Sequence, residues 1–160
     1  MSEVKVLFVC TGNICRSPTA EGVLRHKLAA AGLAGRVGAD SAGTIDYHAG
    51  EPPDRRAVER AARRGYDLQD LRARQLRDAD FESFDLILCM DYGHFRQLDR
   101  LCPPHLAERV KLFLEYAAVA GLPAEVPDPY YGGHADYDYV LDLIEPAVEG
   151  LIAALERDFL

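Results

Sequence analysis

The feature that narrows the fold of this chain most is its opening. An apolar run, Val4-Lys5-Val6-Leu7-Phe8-Val9, leads into a loop from Cys10 to Ser17, and a proline-started segment follows. The run is short, β-branched and almost wholly apolar, as in a strand buried on both faces of a parallel sheet. Pro18 suits a first helical turn, where its missing N–H costs nothing, and Ser17 is expected to cap that helix. Apolar residues then recur at helical spacing at Ala20, Val23, Leu24, Leu28 and Ala31. A loop between a strand's carboxyl end and a helix's start is a β–α junction, which points to an α/β fold.

The rest of the chain repeats this alternation. Val37–Ser41 reads as a second strand, Pro53–Gly65 as a helix, Leu86–Met90 as a third strand, Asp91–Leu101 as a helix and Val110–Leu112 as a weak fourth strand. Tyr137, Val140, Leu141, Ile144, Val148, Leu151, Ile152 and Leu155 mark a last helix, with Asp136 expected to cap it and Pro146 to kink it. With right-handed crossovers, residues 1–160 are expected to form a single doubly wound domain: a mainly parallel central sheet of about four strands with helices on both faces. Cys10 would stand at the strands' carboxyl edge, where such sheets place ligands.

The loop residues carry chemistry. Gly12 and Asn13 tolerate positive φ, so successive N–H groups of Thr11, Gly12, Asn13, Ile14, Cys15, Arg16 and Ser17 are expected to turn inward around an anion, with the helix dipole behind them. The thiolate of Cys10 would be the nucleophile, its charge favoured by those amides and by Arg16. The planar fork of Arg16 can span two phosphoryl oxygens, and the Ser17 hydroxyl can donate to the sulfur. Cysteine is often only a small buried hydrophobe, and C-x5-R arises by chance. The preceding strand, the Gly-Asn turn and the Ser-Pro helix start outweigh both readings. Neither G-x4-G-K-[ST] nor G-x-G-x-x-G occurs, and no pair of ligands spaced C-x2-C or H-x3-H appears among the scattered histidines and cysteines, so neither nucleotide nor metal binding is expected.

Further segments extend the pattern: Ser41-Ala42-Gly43-Thr44, Gly50-Glu51-Pro52-Pro53-Asp54, Ala73-Arg74-Gln75, Phe84 to Asp91, and Asp128-Pro129-Tyr130-Tyr131. With C-x4-C-R-S-P at its start, the chain resembles the low-molecular-weight protein tyrosine phosphatases. The resemblance implies a cysteine-dependent hydrolase that forms a phosphocysteine intermediate without metal or cofactor. It implies that Asp128 is the general acid, on a loop stiffened by Pro129, and that Ser41 supports Asn13. Tyr130 and Tyr131 would form one wall of a substrate slot and Tyr47 the other. Such a slot suits a phosphotyrosine protein or aryl phosphate, with stacking worth ~0.5–1.5 kcal/mol per aromatic pair. Ile14 stands where threonine accompanies phosphoarginine hydrolysis in related enzymes, which favours phosphotyrosine over a protein-arginine phosphatase. Leu71 departs from the histidine of many members and puts loop rigidity in question. Arsenate reduction on the same fold is the other alternative, but Cys89 and Cys102 are too far apart in sequence for its cysteine cascade and are expected to be packing residues.

Cys15, five positions after Cys10, could pair with it reversibly under peroxide. Net charge of −8 and a pI near 5.1 count against nucleic-acid binding. No apolar stretch reaches the ~18 residues of a membrane span. A reactive thiol suits the reducing cytoplasm, and a monomer or weak dimer is expected. Eight arginines fall between Arg55 and Arg77, whereas eight acidic residues from Asp128 onward face only Arg157. The two stretches could present opposite faces, the basic one guiding an acidic phosphopeptide, but salt screening confines such charges to local action and ordinary solvated helix faces are the expected outcome.

Overall fold

Four strands form the frame: β1 (Val4–Cys10), β2 (Val37–Gly43), β3 (Leu86–Cys89) and β4 (Val110–Leu112). The computed structural model describes residues 2–160. All pairings are parallel, in the order β2-β1-β3-β4. The helices are α1 (Arg16–Ala30), α2 (Arg55–Arg63), α3 (Asp80–Ser83), α4 (Tyr92–Leu101) and α5 (His134–Asp158). Because strand side chains alternate, β1 feeds two cores. Val4, Val6 and Phe8 pack with Leu24 of α1 and Ile144 of α5, while Leu7 and Val9 pack with Phe81 of α3 and Leu98 of α4. Helices therefore cover both faces of the sheet, as the alternation of apolar runs predicts.

Strand order decides where a site can form. The chain moves from β1 to β2 on one side and then returns past β1 to β3. Connections consequently diverge at the carboxyl ends of β1 and β3, which opens a crevice at Cys10. β2 runs two residues beyond the expected Ser41 and pairs Cys10 with Gly43. The Thr44 and Ile45 amides continue this pairing to the carbonyls of Cys10 and Thr11, at 2.9 and 3.2 Å.

Some expected boundaries are corrected. α1 starts at Arg16 with Cys15 in the N-cap position and no side-chain cap, so Ser17 is its second residue rather than its cap and Pro18 its third rather than its first; the Ser17 hydroxyl is engaged elsewhere. Asp136 is the third residue of α5 rather than its N-cap; its carboxylate accepts the Gly133 N–H at 2.8 Å. Pro146 lies inside α5 without ending it. The basic and acidic stretches do not form separate faces. Arg60 of α2 meets Asp138 of α5 at 2.8 Å, and Arg64 meets Asp142 and Glu145 at 2.9 and 2.5 Å. Among the described residues, no helix is long and apolar enough to cross a membrane.

Candidate active site

Cys10 ends β1 buried, with its sulfur 2.9 Å from the Ser17 hydroxyl. The direction of that bond follows from Asn13. Its amide nitrogen donates to Ser17 Oγ at 2.7 Å and to Ser41 Oγ at 2.9 Å, while Ser41 passes its own hydrogen to Glu21 at 2.7 Å. Ser17 already accepts from Asn13, so its single hydrogen is free to point at sulfur. Asn13 is the one non-glycine among the described residues with positive φ, at 58°, and its carbonyl oxygen accepts the Arg74 N–H at 3.0 Å. Leu71 packs against the core, so Arg74 backbone, Ser41 and Ser17 hold Asn13 without a histidine there. Gly12 does not share the expected positive φ. Its role is space: a Cβ there would lie 3.1 Å from the His48 ring.

Arg16 is buried and held from two sides. Its Nη1 donates to Asp91 at 2.9 Å and to the Val126 carbonyl at 3.0 Å, while Nη2 comes within 3.9 Å of Asp128. Asp91 caps α4 at the end of β3. Burial opposes its ionisation, but the His94 N–H and the Arg16 guanidinium outweigh that and hold the carboxyl below its ordinary range. His94, 5% exposed, sets Nε2 2.8 Å from the Thr11 hydroxyl and Nδ1 3.1 Å from Asp91, the latter short of hydrogen-bond geometry. Burial drives this imidazole down to about 4, reinforced by Arg16 and only partly offset by Asp91. Neutral His94 with its proton on Nδ1 would face the carboxylate and accept from Thr11.

Cys10, Thr11, Gly12, Ile14, Cys15 and Arg16 line a cavity of about 370 Å³ together with Ile45, Tyr47, His48, Asp128, Tyr130 and Tyr131. Tyr47 and Tyr131 are 80% and 94% exposed, so they border its mouth, while Tyr130 is 38% exposed and meets the Tyr131 ring edge-on. The buried Cys15 thiol lies 3.4 Å from the Tyr137 hydroxyl, and burial raises it to about 12 despite that contact. Cys89 and Cys102 are buried in the second core. The sequence alone assigns no site role to Asp91, His94, His48 or Glu21. A hydrophilic Asp-x-x-His directly after an apolar strand was the available signal for the first pair.

A cysteine under a hydroxyl donor, an adjoining buried arginine and a nearby carboxylate, at the carboxyl edge of a parallel sheet, define the phosphatase class that works through a thiol nucleophile. Residues 5–159 match the family model of the low molecular weight phosphotyrosine protein phosphatases, and the chain belongs to that family. A low molecular weight protein-tyrosine-phosphatase of Streptomyces coelicolor is 48% identical over 155 residues, covering 96% of this chain and 94% of its own. Its counterpart from Schizosaccharomyces pombe is 42% identical over 144 residues, 89% and 91% of the two chains. The crystal structure of an Entamoeba histolytica protein tyrosine phosphatase, with Hepes in its active site, superposes with a TM-score of 0.94 at 38% identity, covering 98% and 99%.

Proposed function

We propose that this protein hydrolyses phosphotyrosine in proteins, and aryl phosphates like it, through a phosphocysteine intermediate. The observation that carries the reading is the meeting of Cys10, Arg16 and Asp128 on one aromatic-rimmed cavity. Cys10 sulfur attacks phosphorus while the bond to the phenolic oxygen breaks, and Asp128 protonates the departing oxygen. Water then attacks the phosphocysteine, its proton passes to Asp128, and the S–P bond breaks to free inorganic phosphate and the thiolate. Arg16, oriented by Asp91 and the Val126 carbonyl, follows the charge spreading over the equatorial oxygens. Ser17, supported by Asn13 and Ser41, stabilises the sulfur as it leaves. No step draws on a metal.

Tyr47, Tyr130 and Tyr131 suit an aromatic ring at the cavity mouth, where phosphoserine, lacking a ring, has nothing to stack against. Ile14 supports phosphotyrosine over phosphoarginine. The enzyme fits a reducing, cytoplasmic setting as one domain, monomeric or weakly dimeric, in which Cys10 and Cys15 could pair reversibly under peroxide. Peptides bearing phosphotyrosine, phosphoserine or phosphoarginine, compared on wild type, Cys10→Ser and Asp128→Ala, test the reading in chelator-containing buffer. Expected is chelator-resistant phosphotyrosine turnover, abolished in Cys10→Ser and reduced about 10²–10⁴-fold in Asp128→Ala. Undiminished turnover by Cys10→Ser would sink the mechanism, and a preference for phosphoarginine would sink the substrate.

A further inference from the structure

Asp128 has little of its own to fix it. The carboxylate is half-exposed, accepts the Tyr130 N–H at 3.1 Å within its own turn, and reaches Arg16 only at 3.9 Å. Yet its separation from Cys10 has to be reproducible for proton transfer, since small misplacements of a catalytic group are costly. A different side chain bridges the gap. Arg56, in the first turn of α2, donates through Nη1 to the Gly132 carbonyl at 2.9 Å and through Nη2 to the Tyr130 carbonyl at 2.8 Å. The same guanidinium binds both oxygens of Asp54, from Nε at 3.1 Å and Nη2 at 3.0 Å. It also lies 5.8 Å from the Tyr130 ring centre and 4.8 Å from that of Tyr137.

Asp54 completes the connection. It caps α2 by accepting the Arg56 N–H at 2.9 Å, and its own N–H donates to the Ile14 carbonyl of the phosphate loop at 2.7 Å. One chain of bonds thus runs from Ile14 through Asp54 and Arg56 to the two carbonyls that follow Asp128. Four guanidinium donors in one plane serve it, a geometry no lysine reproduces.

We infer that Arg56 is a positioning residue that sets the loop carrying Asp128 against the Cys10–Ser17 loop, and through it governs leaving-group protonation. The inference rests on Asp128 as the proton donor, and the test separates the two. kcat/KM is measured over aryl phosphates whose phenols range from strongly to weakly acidic, for wild type, Arg56→Ala, Arg56→Lys, Asp128→Ala and the Arg56→Ala/Asp128→Ala double variant. Thermal unfolding verifies each fold, and Arg56→Lys retains a cation beside Asp54 should the alanine variant unfold.

Arg56→Ala is expected to lose about 10²-fold on weakly acidic phenols and little on strongly acidic ones, with Arg56→Lys intermediate. In the Asp128→Ala background the same substitution should cost almost nothing further, as for two residues acting through one step. A loss uniform across the phenol series, or one fully additive with Asp128→Ala, would assign Arg56 a merely structural role and overturn the inference. If Asp128→Ala itself shows no dependence on the phenol, the proton-donor reading falls first and takes this one with it.

Discussion

At Ser17 a single hydrogen decides what the residue does. Serine before proline at a helix start is ordinarily a cap, but here the hydroxyl accepts from Asn13 and points its proton at Cys10. The helix has already begun at Arg16, with Cys15 at its N-cap, so Ser17 is its second residue and its hydroxyl serves the sulfur rather than the helix start. Removing that hydroxyl should act on reactivity more than on stability. Ser17→Ala is expected to lower turnover by about tenfold or more, in line with a lost hydrogen bond to a charged group of ~1.5–3 kcal/mol, and to slow alkylation of Cys10 by iodoacetate. Its Tm should fall by only a few degrees, because the buried Asn13 amide loses one acceptor but keeps Ser41. Unchanged alkylation at fixed pH would mean that the hydroxyl does not stabilise the thiolate.

Among the elements, β2 is the one whose function hides in its last residues. Its end carries Ala42-Gly43, and Gly43 is where the strand meets the Cys10–Ser17 loop: a Cβ there would lie 2.6 Å from the Thr11 carbonyl oxygen and 3.2 Å from Asn13 Cβ. Backbone cannot yield as a flexible side chain does. Gly43→Ala should therefore cost about 1–3 kcal/mol in denaturant unfolding, as overpacking does, and lower kcat by displacing Asn13. Full activity with full stability would contradict the close approach. The same junction shows what sequence can and cannot reveal. Local patterns carried β1, the Cys10–Ser17 loop and the register of α5, because apolar period and loop chemistry are written in adjacent residues. The pairing of Arg74 backbone with Asn13, of His94 with Thr11 and of Arg56 with Tyr130 joins segments far apart in the chain, and no local pattern encodes it. The opposite charges of α2 and α5 were visible, but only packing shows that they face each other.

Across the whole molecule, acid sensitivity follows from where these groups are buried. His94 is held at about 4 in the fold against 6.5 when unfolded. Between those values the unfolded chain takes up a proton that the native protein refuses, so this group's stabilisation is complete above pH 6.5 and declines as pH falls toward 4, by about 3 kcal/mol in total. Asp54 and Asp91, whose carboxyls are lowered, extend the decline below that window, because their stabilisation is present above their unfolded values and disappears on protonation. Glu21 works in the opposite sense. Burial raises it despite Ser41 and Arg25, so its ionised form is a cost that acid relieves. The charges acting on His94 are Asp91, Arg16, Asp128 and Glu125, of which only Arg16 favours the neutral ring. Replacing the imidazole by an amide that can still meet Thr11 isolates its share. In urea unfolding, His94→Gln is expected to flatten the fall in stability between pH 6.5 and 4.5 while leaving the steeper loss below pH 4 intact. An unaltered slope in that upper window would show that His94 protonates as readily in the native protein as in the unfolded chain, and would break the link between its burial and the acid limb.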